Sequence, residues 1–160
     1  MSFFVQATSD SRYRTGRGIA SLMLAAVLVV MAVAQLFTFE DFPETIMQMD
    51  LLWSGETAAM FQAALIVILE VAALPYLLFM PLSPAGRLVS MAAGWLAVTW
   101  WVYVSFWITI TQNEMPNGGL LGATVDISSG WWMVGFSLML ALLAVWAARD
   151  GGLYARTSKK

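Results

Sequence analysis

The sequence predicts an all-α protein: an integral membrane four-helix bundle with a short interfacial amphipathic helix after the first span. Apolar residues make up 60% of the 160 residues and charged residues only 11%, and the mean hydropathy is +0.75. A soluble globule of this size needs more polar surface than this composition supplies. The apolar residues are concentrated in four runs, each of the length that crosses the hydrocarbon core of a bilayer. The whole chain, residues 1–160, is therefore expected to be a single membrane domain surrounded by lipid.

Turn and loop signals separate the four spans. The Pro-Leu-Ser-Pro sequence at 81–84 cannot continue a helix, a glycine-rich loop covers 112–129, and Arg149 with the following glycines ends the last span. Cleavage of the first span as a signal peptide is the competing interpretation, because residues 32–34 have the small-x-small form of a cleavage site. The apolar run continues past this motif, which favours a retained span. The spans are expected at about 19–37, 57–80, 87–111 and 130–148.

The charged residues are divided between the two sides of the predicted bundle. All eight Lys and Arg lie in the N-terminal head, the turn at 81–87 or the C-terminal tail, whereas seven of the ten acidic residues lie in the loops 38–56 and 112–129. Cytoplasmic loops of membrane proteins carry an excess of Lys and Arg. Both termini are therefore expected in the cytoplasm, and the acidic loops on the outer side.

A short amphipathic helix is expected at about 43–53, in the first acidic loop. Pro43 suits the first turn of a helix, and apolar residues recur at helical spacing after it. The helix is expected either to cover the bundle as a packed lid or to bind a partner or gate a substrate. The candidates for partner binding are Phe42, Ile46, Met49 and Trp53.

Glu70 lies near the middle of the second span and is the first candidate for a functional site. An ionisable side chain at that depth costs several kcal/mol unless it is paired, protonated or hydrated. Pro75 removes one helical hydrogen bond and is expected to kink the helix beside Glu70. Arg87 is a further candidate, which would reach Glu70 only by extending inward. Counting the same depth along the other spans gives the expected hydrogen-bond partners: Thr99, the Trp100 or Trp101 indole, and Ser137.

Two interpretations of Glu70 remain open at this stage. In the functional one, it is a protonatable site that relays protons or contacts a ligand. In the structural one, a neutral carboxylic acid bonds a side chain on another helix and fixes the register, worth about 1 kcal/mol. The tryptophans inside the third span, Trp95, Trp100 and Trp101, likewise either pack against neighbouring spans or stack on a ligand.

Small residues give the third span a face for close helix contact. Ser90, Ala93, Gly94 and Ala97 allow two helix backbones to approach each other. Packing within the bundle is the expected use of this face, with dimerisation or docking into a larger complex as the alternative.

Several classes of chemistry are excluded by composition. Cysteine and histidine are both absent, which rules out disulfides, thiol chemistry, His-ligated metals, axial-His haem and imidazole catalysis. No phosphate loop, nucleophile elbow or metal-spacing motif is present, and the basic patches are too small for nucleic acid. No catalytic residue, metal or resident cofactor is therefore expected, and the isolated chain is not expected to be an enzyme. A bound quinone or lipid remains an alternative.

The layout resembles the DoxX-like group of small bacterial membrane proteins. The features that carry the resemblance are the acidic segment FTFEDFPETI at 37–46, Glu70 in VILEVAALPYLL and Arg87 in LSPAGRL. Val71 and Ala72 stand where the family often has a glycine pair. The resemblance implies a bacterial inner-membrane protein that serves as a partner or subunit of redox or envelope complexes, some of them linked to quinone. It also makes Glu70 and Arg87 candidate site positions of unknown role.

Three functions follow as expectations. The first is a membrane subunit or accessory protein, non-catalytic alone, whose exposed helix faces and acidic outer segment dock another membrane protein. The second is a small proton-coupled transporter that uses Glu70. The third is a quinone-handling subunit built around Glu70 and the tryptophans of the third span.

Overall fold

The computed structural model describes residues 16–51, 55–111, 115–124 and 128–148. Over these ranges the chain is helical without strands, which confirms the predicted fold class, and four helices are long and apolar enough to cross a membrane. The protein is therefore a multi-pass helical membrane protein. Its helices are α1 (Gly16–Phe37), α2 (Phe42–Gln48), α3 (Glu56–Leu77), α4 (Pro84–Thr111) and α5 (Trp131–Ala148).

The four long helices form a closed ring. Helix α3 packs between α1 and α4, and α5 completes the ring by contacting both α4 and α1. Side chains such as Leu28, Trp101 and Leu140 fill the interior. The outer surface is also apolar, with Phe37 and Ile110 86% and 72% exposed. An apolar outer surface is expected where the surrounding solvent is lipid. Association of the helices therefore depends on close packing and hydrogen bonds between them.

The turn between α3 and α4 lies three residues earlier in the chain than the sequence predicts. Helix α3 ends at Leu77, where the expected span continued to about 80, because the chain turns at Phe79, which has a φ of 55°. Helix α4 begins at Pro84 and not at 87. The Ser83 hydroxyl accepts from the Gly86 N–H at 3.1 Å and caps the first turn, where proline is well tolerated. Pro84 is therefore the first residue of α4.

Ser90 of α4 is inserted into the backbone of α3 beside Pro75. Its hydroxyl donates to the Ala72 carbonyl at 2.6 Å and accepts from the Tyr76 N–H at 3.0 Å. These two backbone groups would bond each other in a regular helix. Pro75 lies inside α3, and a proline there removes another bond of the same turn. The neighbouring helix thus supplies hydrogen bonds that the kinked segment lacks.

The small face of α4 is used within the bundle, as expected. Ser90, Ala93 and Ala97 are all buried. A Cβ atom placed on Gly94 would lie 3.3 Å from the Ala73 Cβ of α3, closer than ordinary contact. The two backbones therefore approach each other at this point because neither helix carries a large side chain there.

We expect Ser90→Ala to lower the free energy of unfolding by about 1 kcal/mol, since a hydroxyl that serves two backbone groups is lost inside a membrane protein. Thr99→Ala on the same helix is the control, because Thr99 is exposed. Unfolding in mixed detergent micelles measures both. Equal stabilities for the two variants would contradict a structural role for the Ser90 bridge.

On the side of the bundle where α1 ends, α3 extends much further than α1. Gln35, near the end of α1, contacts Glu70, which lies about 21 Å along α3 from its first residue. The space beyond the end of α1 is filled by α2 and by the loop 115–124, which together we call the lid. The loop is fixed to α1 by Ala123 N–H donating to Thr38 Oγ1 at 2.9 Å and by Thr124 Oγ1 donating to the Ala34 carbonyl at 3.0 Å. Non-helical backbone at this depth is tolerated because it is buried in protein.

Helix α2 is shorter and more deeply packed than an interfacial helix from 43 to 53. It ends at Gln48, followed by Met49 and then by Asp50 with a φ of 46°. Its apolar side packs on α3, and its charged side chains face outward. The structure therefore has the packed-lid arrangement.

Gly122 fixes the lid to α1. It has a φ of +60°, and a Cβ atom there would lie 2.9 Å from the Gln35 Cα and 2.6 Å from Thr38 Oγ1. We expect Gly122→Ala to lower the free energy of unfolding by about 2 kcal/mol, because the backbone conformation and the contact are both unfavourable for alanine. Gly135→Ala in α5, where nothing lies within 4 Å, is the control and should be as stable as the wild type or more so. A Gly122→Ala protein as stable as this control would show that the lid is not tightly seated.

Candidate functional site

Glu70 is completely buried at the junction of three helices. Its side chain is 0% exposed, and its Oε1 atom accepts from the Trp101 indole N–H at 2.7 Å. The same oxygen accepts from Gln35 Nε2 at 3.5 Å. These bonds join α3 to α4 and to α1. We call these three side chains the Glu70 cluster.

Gln35 connects the cluster to the lid. Its Nε2 atom also donates to the Leu120 carbonyl at 3.2 Å, and its side chain is 0% exposed. Because a carbonyl can only accept, this bond sets the orientation of the Gln35 amide. The position of the loop 115–124 is therefore linked to Glu70 through a single side chain.

Two oxygens of the cluster have no hydrogen-bond partner among the described residues. They are Glu70 Oε2 and Gln35 Oε1, and both are buried. Buried polar atoms in folded proteins are nearly always bonded, so two acceptors without a donor in one cluster need an explanation. A carboxylate and an amide carbonyl can be satisfied only by a donor: a proton on the acid, a water, or an O–H or N–H of a ligand.

A second polar pair lies one helical turn beyond Trp101. Ser105 and Ser137 place their hydroxyls 2.7 Å apart and join α4 to α5. Each hydroxyl is also within bonding distance of a carbonyl on its own helix, Ser105 with Val102 at 2.9 Å and Ser137 with Val134 at 3.0 Å. Ser137 therefore bonds Ser105 and not Glu70, which corrects the expected pairing.

The structure brings Trp101 to Glu70 and leaves the other expected partners apart. Trp100 is half-buried with its ring 6.3 Å from that of Tyr103, and Thr99 is exposed. Arg87 is exposed with its guanidinium 5.8 Å from the Tyr76 ring, about 21 Å along α4 from Trp101. Arg87 therefore does not belong to the cluster.

The predicted partner-binding residues of α2 face the interior. Phe42, Ile46 and Met49 are 1%, 4% and 2% exposed and belong to the hydrophobic core. A helix at the edge of a bundle buries its apolar side there, so these side chains are not available to a partner in this conformation. Trp53 lies outside the described residues.

Gln35 is the member of the cluster that the sequence did not reveal. It lies near the end of its span, where an amide is expected at the membrane interface and needs no partner. Only the early end of α1 and the lid above it place this residue deep inside the protein. Gln62 is a second buried amide, and it shares a face of α3 with Glu70, two turns away.

An apolar groove opens between α1 and α5 beside the cluster. Its cavity volume is about 370 Å³, within the range of ligand pockets. Leu120 contributes to its wall, and the carbonyl of the same residue accepts the Gln35 amide. The principal lining residues are Val30, Met31, Leu120, Leu121, Trp132 and Phe136.

The fold and this site define a class: a four-span helical membrane protein with a buried glutamate under a lid. No protein-family model matches the chain, and no curated protein or solved structure matches it either. Within the described residues there is no group of three or more acidic, histidine or cysteine side chains that could hold a metal ion.

Proposed function

We propose that this protein is a multi-pass subunit or accessory protein of a larger membrane complex, and that it docks a partner with a basic surface through the acidic outer side of the lid. The observation that supports this is the orientation of α2. Its Phe42 and Ile46 side chains are held in the core, while Glu40, Asp41 and Glu44 are exposed in and beside it. Asp50 and Glu56 add two more exposed carboxylates nearby.

No positive charge offsets these carboxylates in the surrounding sequence, since no Lys or Arg lies between Arg17 and Arg87. Exposed charges within about 8 Å of one another reinforce the local potential at physiological salt. A rigid acidic surface of this kind attracts a basic surface and orients its approach. The isolated chain is proposed to be non-catalytic.

We further propose a bacterial inner-membrane location with both termini in the cytoplasm and the lid on the outer side. The distribution of Lys and Arg and the resemblance to the DoxX-like layout support this orientation. A reporter fused behind Lys160 should be active in the cytoplasm. A reporter that is active outside would place the acidic surface on the wrong side for an outer partner.

Charge reversal on α2 tests the docking proposal. The tagged protein would be purified from its native membranes in mild detergent as wild type, as Asp41→Asn/Glu44→Gln and as Asp41→Lys/Glu44→Lys. We expect a stoichiometric companion whose recovery falls in that order and falls with added salt. Ala85→Lys is the control, since it adds a positive charge at an exposed position on the opposite side of the bundle. Recovery of the companion unchanged by charge reversal, or a chain without companions, would refute the proposal.

A second candidate function is supported by the unpartnered oxygens of the Glu70 cluster. A proton on Glu70 would convert Oε2, a buried acceptor without a donor, into a donor. A small proton-coupled transporter would use such a site, with the lid or the opposite end opening to release the proton.

Transport in liposomes distinguishes this candidate from the first. A carrier gives pH-dependent flux in the purified chain alone, and Glu70→Gln abolishes that dependence because the amide does not titrate. A docking subunit gives no flux in either form. Glu70→Gln is suitable here because its carbonyl oxygen can accept the same bonds from Trp101 and Gln35.

A further inference from the structure

The groove between α1 and α5 and the Glu70 cluster are separated by a single residue of the lid. The Leu120 side chain lines the groove, and its carbonyl accepts the Gln35 amide at 3.2 Å. Met31, which also lines the groove, lies one helical turn from Gln35 on the same face of α1. Leu120 and Met31 therefore lie between the apolar groove and the buried polar cluster.

We propose that this groove binds the hydrocarbon chain of a neutral lipid alcohol, whose hydroxyl reaches Gln35 and Glu70. The wall of the groove supplies apolar contacts from two helices and the lid, and it faces the hydrocarbon from which such a molecule would enter. The cavity of about 370 Å³ has room for part of a chain. Behind Leu120 lie Gln35 Oε1 and Glu70 Oε2, the two oxygens that lack a donor.

The polar end of the ligand follows from the chemistry of those oxygens. A hydroxyl both donates and accepts, so it can donate to Gln35 Oε1 while it accepts from a protonated Glu70, or donate to the carboxylate directly. A charged headgroup would have to be desolvated next to apolar walls, which costs several kcal/mol. An ether of the same length can accept but cannot donate, so it leaves Gln35 Oε1 without a donor.

Access to the cluster requires a local shift of the lid at Leu120. One side-chain bond, from Gln35 Nε2, holds the Leu120 carbonyl over the cluster. The bond from Asn117 Nδ2 to the Gly122 carbonyl at 3.0 Å lies within the loop, and the bonds of Ala123 and Thr124 to α1 hold its far end in place. The shift is therefore confined to the backbone around Leu120, where a hydroxyl replaces the Leu120 carbonyl as the partner of Gln35.

Photolabelling of the full chain in lipid nanodiscs tests the proposal. The probe is a long-chain alcohol with a diazirine on its chain, and the labelled residues are identified by mass spectrometry. We expect labels on groove residues such as Phe136 and Leu121. Unlabelled alcohol should compete at least about tenfold better than its methyl ether, because a buried polar site discriminates strongly against an analogue that cannot bond it.

A matched pair of variants on α1 locates the site. Val30 and Val33 are both 58% exposed, but only Val30 lines the groove. Val30→Trp should fill the groove and abolish labelling, and Val33→Trp should leave it unchanged. Neither change touches the Glu70 cluster, so the comparison does not depend on variants of the buried polar residues.

Each result has a defined meaning. Equal competition by alcohol and ether would overturn the hydroxyl assignment and leave only a groove for the acyl chains of bilayer lipids. Labelling that persists in Val30→Trp, or that is spread evenly over the lipid-facing surface, would overturn the site itself.

Discussion

Trp101→Ala is expected to lower the free energy of unfolding by about 3 to 5 kcal/mol, the range for truncating a large buried aromatic residue. Trp101 is 1% exposed and is the largest of the fully buried side chains. Truncation leaves a cavity between α3 and α4 and removes the N–H donor that lies 2.7 Å from Glu70 Oε1. In a membrane protein most of this cost comes from the lost packing contacts, because moving an apolar side chain from lipid into the protein interior gains little free energy.

Trp100→Ala is the matched control for this prediction. The two residues are adjacent and of the same type, but Trp100 is only partly buried, with its ring packed at a tilt against Tyr103. We expect its truncation to cost less than about half as much. Trp101→Phe separates the two contributions at the buried position, since it keeps an aromatic ring and loses the N–H donor, which is worth about 1 kcal/mol, together with a small part of the ring volume. Unfolding in mixed micelles gives all three values, and a costlier Trp100→Ala would contradict the assignment of the core.

The helical membrane fold could be predicted because it depends on properties that are local in sequence. Run length and hydropathy define the spans, and the small residues around Gly94 define a close-packed face. The ends of helices are less determined by such patterns. At Pro84 the same residue is compatible with ending a turn and with starting a helix, and the Ser83 cap decides in favour of the helix.

The candidate site could be predicted only in part. Glu70 is conspicuous because a carboxyl group inside an apolar run is costly, and counting depth along α4 reaches Trp101. Depth alone does not fix which side of a helix faces the interior, so Thr99 and Trp100 were equally reasonable partners. Ser137 is at a suitable depth but bonds Ser105, the nearer hydroxyl.

Gln35 and the lid escaped prediction for a different reason. The bonds that place them join residues far apart in sequence, Gln35 to Leu120 and Thr38 to Ala123. A glycine-rich loop at 115–124 would normally be assigned to the membrane surface. It enters the bundle because α1 ends early. The sequence of the loop does not indicate where α1 ends, so the position of the loop could not be predicted from it.

Glu70→Lys is expected to destabilise the bundle by about 3 kcal/mol or more, which is the cost of placing lysine at the centre of a membrane helix. The ammonium group would also face the N–H groups of Trp101 and Gln35, so donors would oppose donors where Glu70 now accepts both. Glu70→Leu removes the acceptor without adding charge and should cost about 1 to 2 kcal/mol.

Glu70→Gln is the control that isolates charge from shape. Its carbonyl oxygen keeps both bonds that Oε1 now accepts, and its neutral amide replaces the buried, unpartnered Oε2 without adding a charge. We therefore expect this variant to be at least as stable as the wild type, giving the order Gln, Leu, Lys from most to least stable. The stability of Glu70→Lys relative to the other two variants shows whether water reaches the cluster. If Glu70→Lys unfolds no more easily than Glu70→Leu, water must reach position 70 and solvate the ammonium group, and the lid does not seal the cluster.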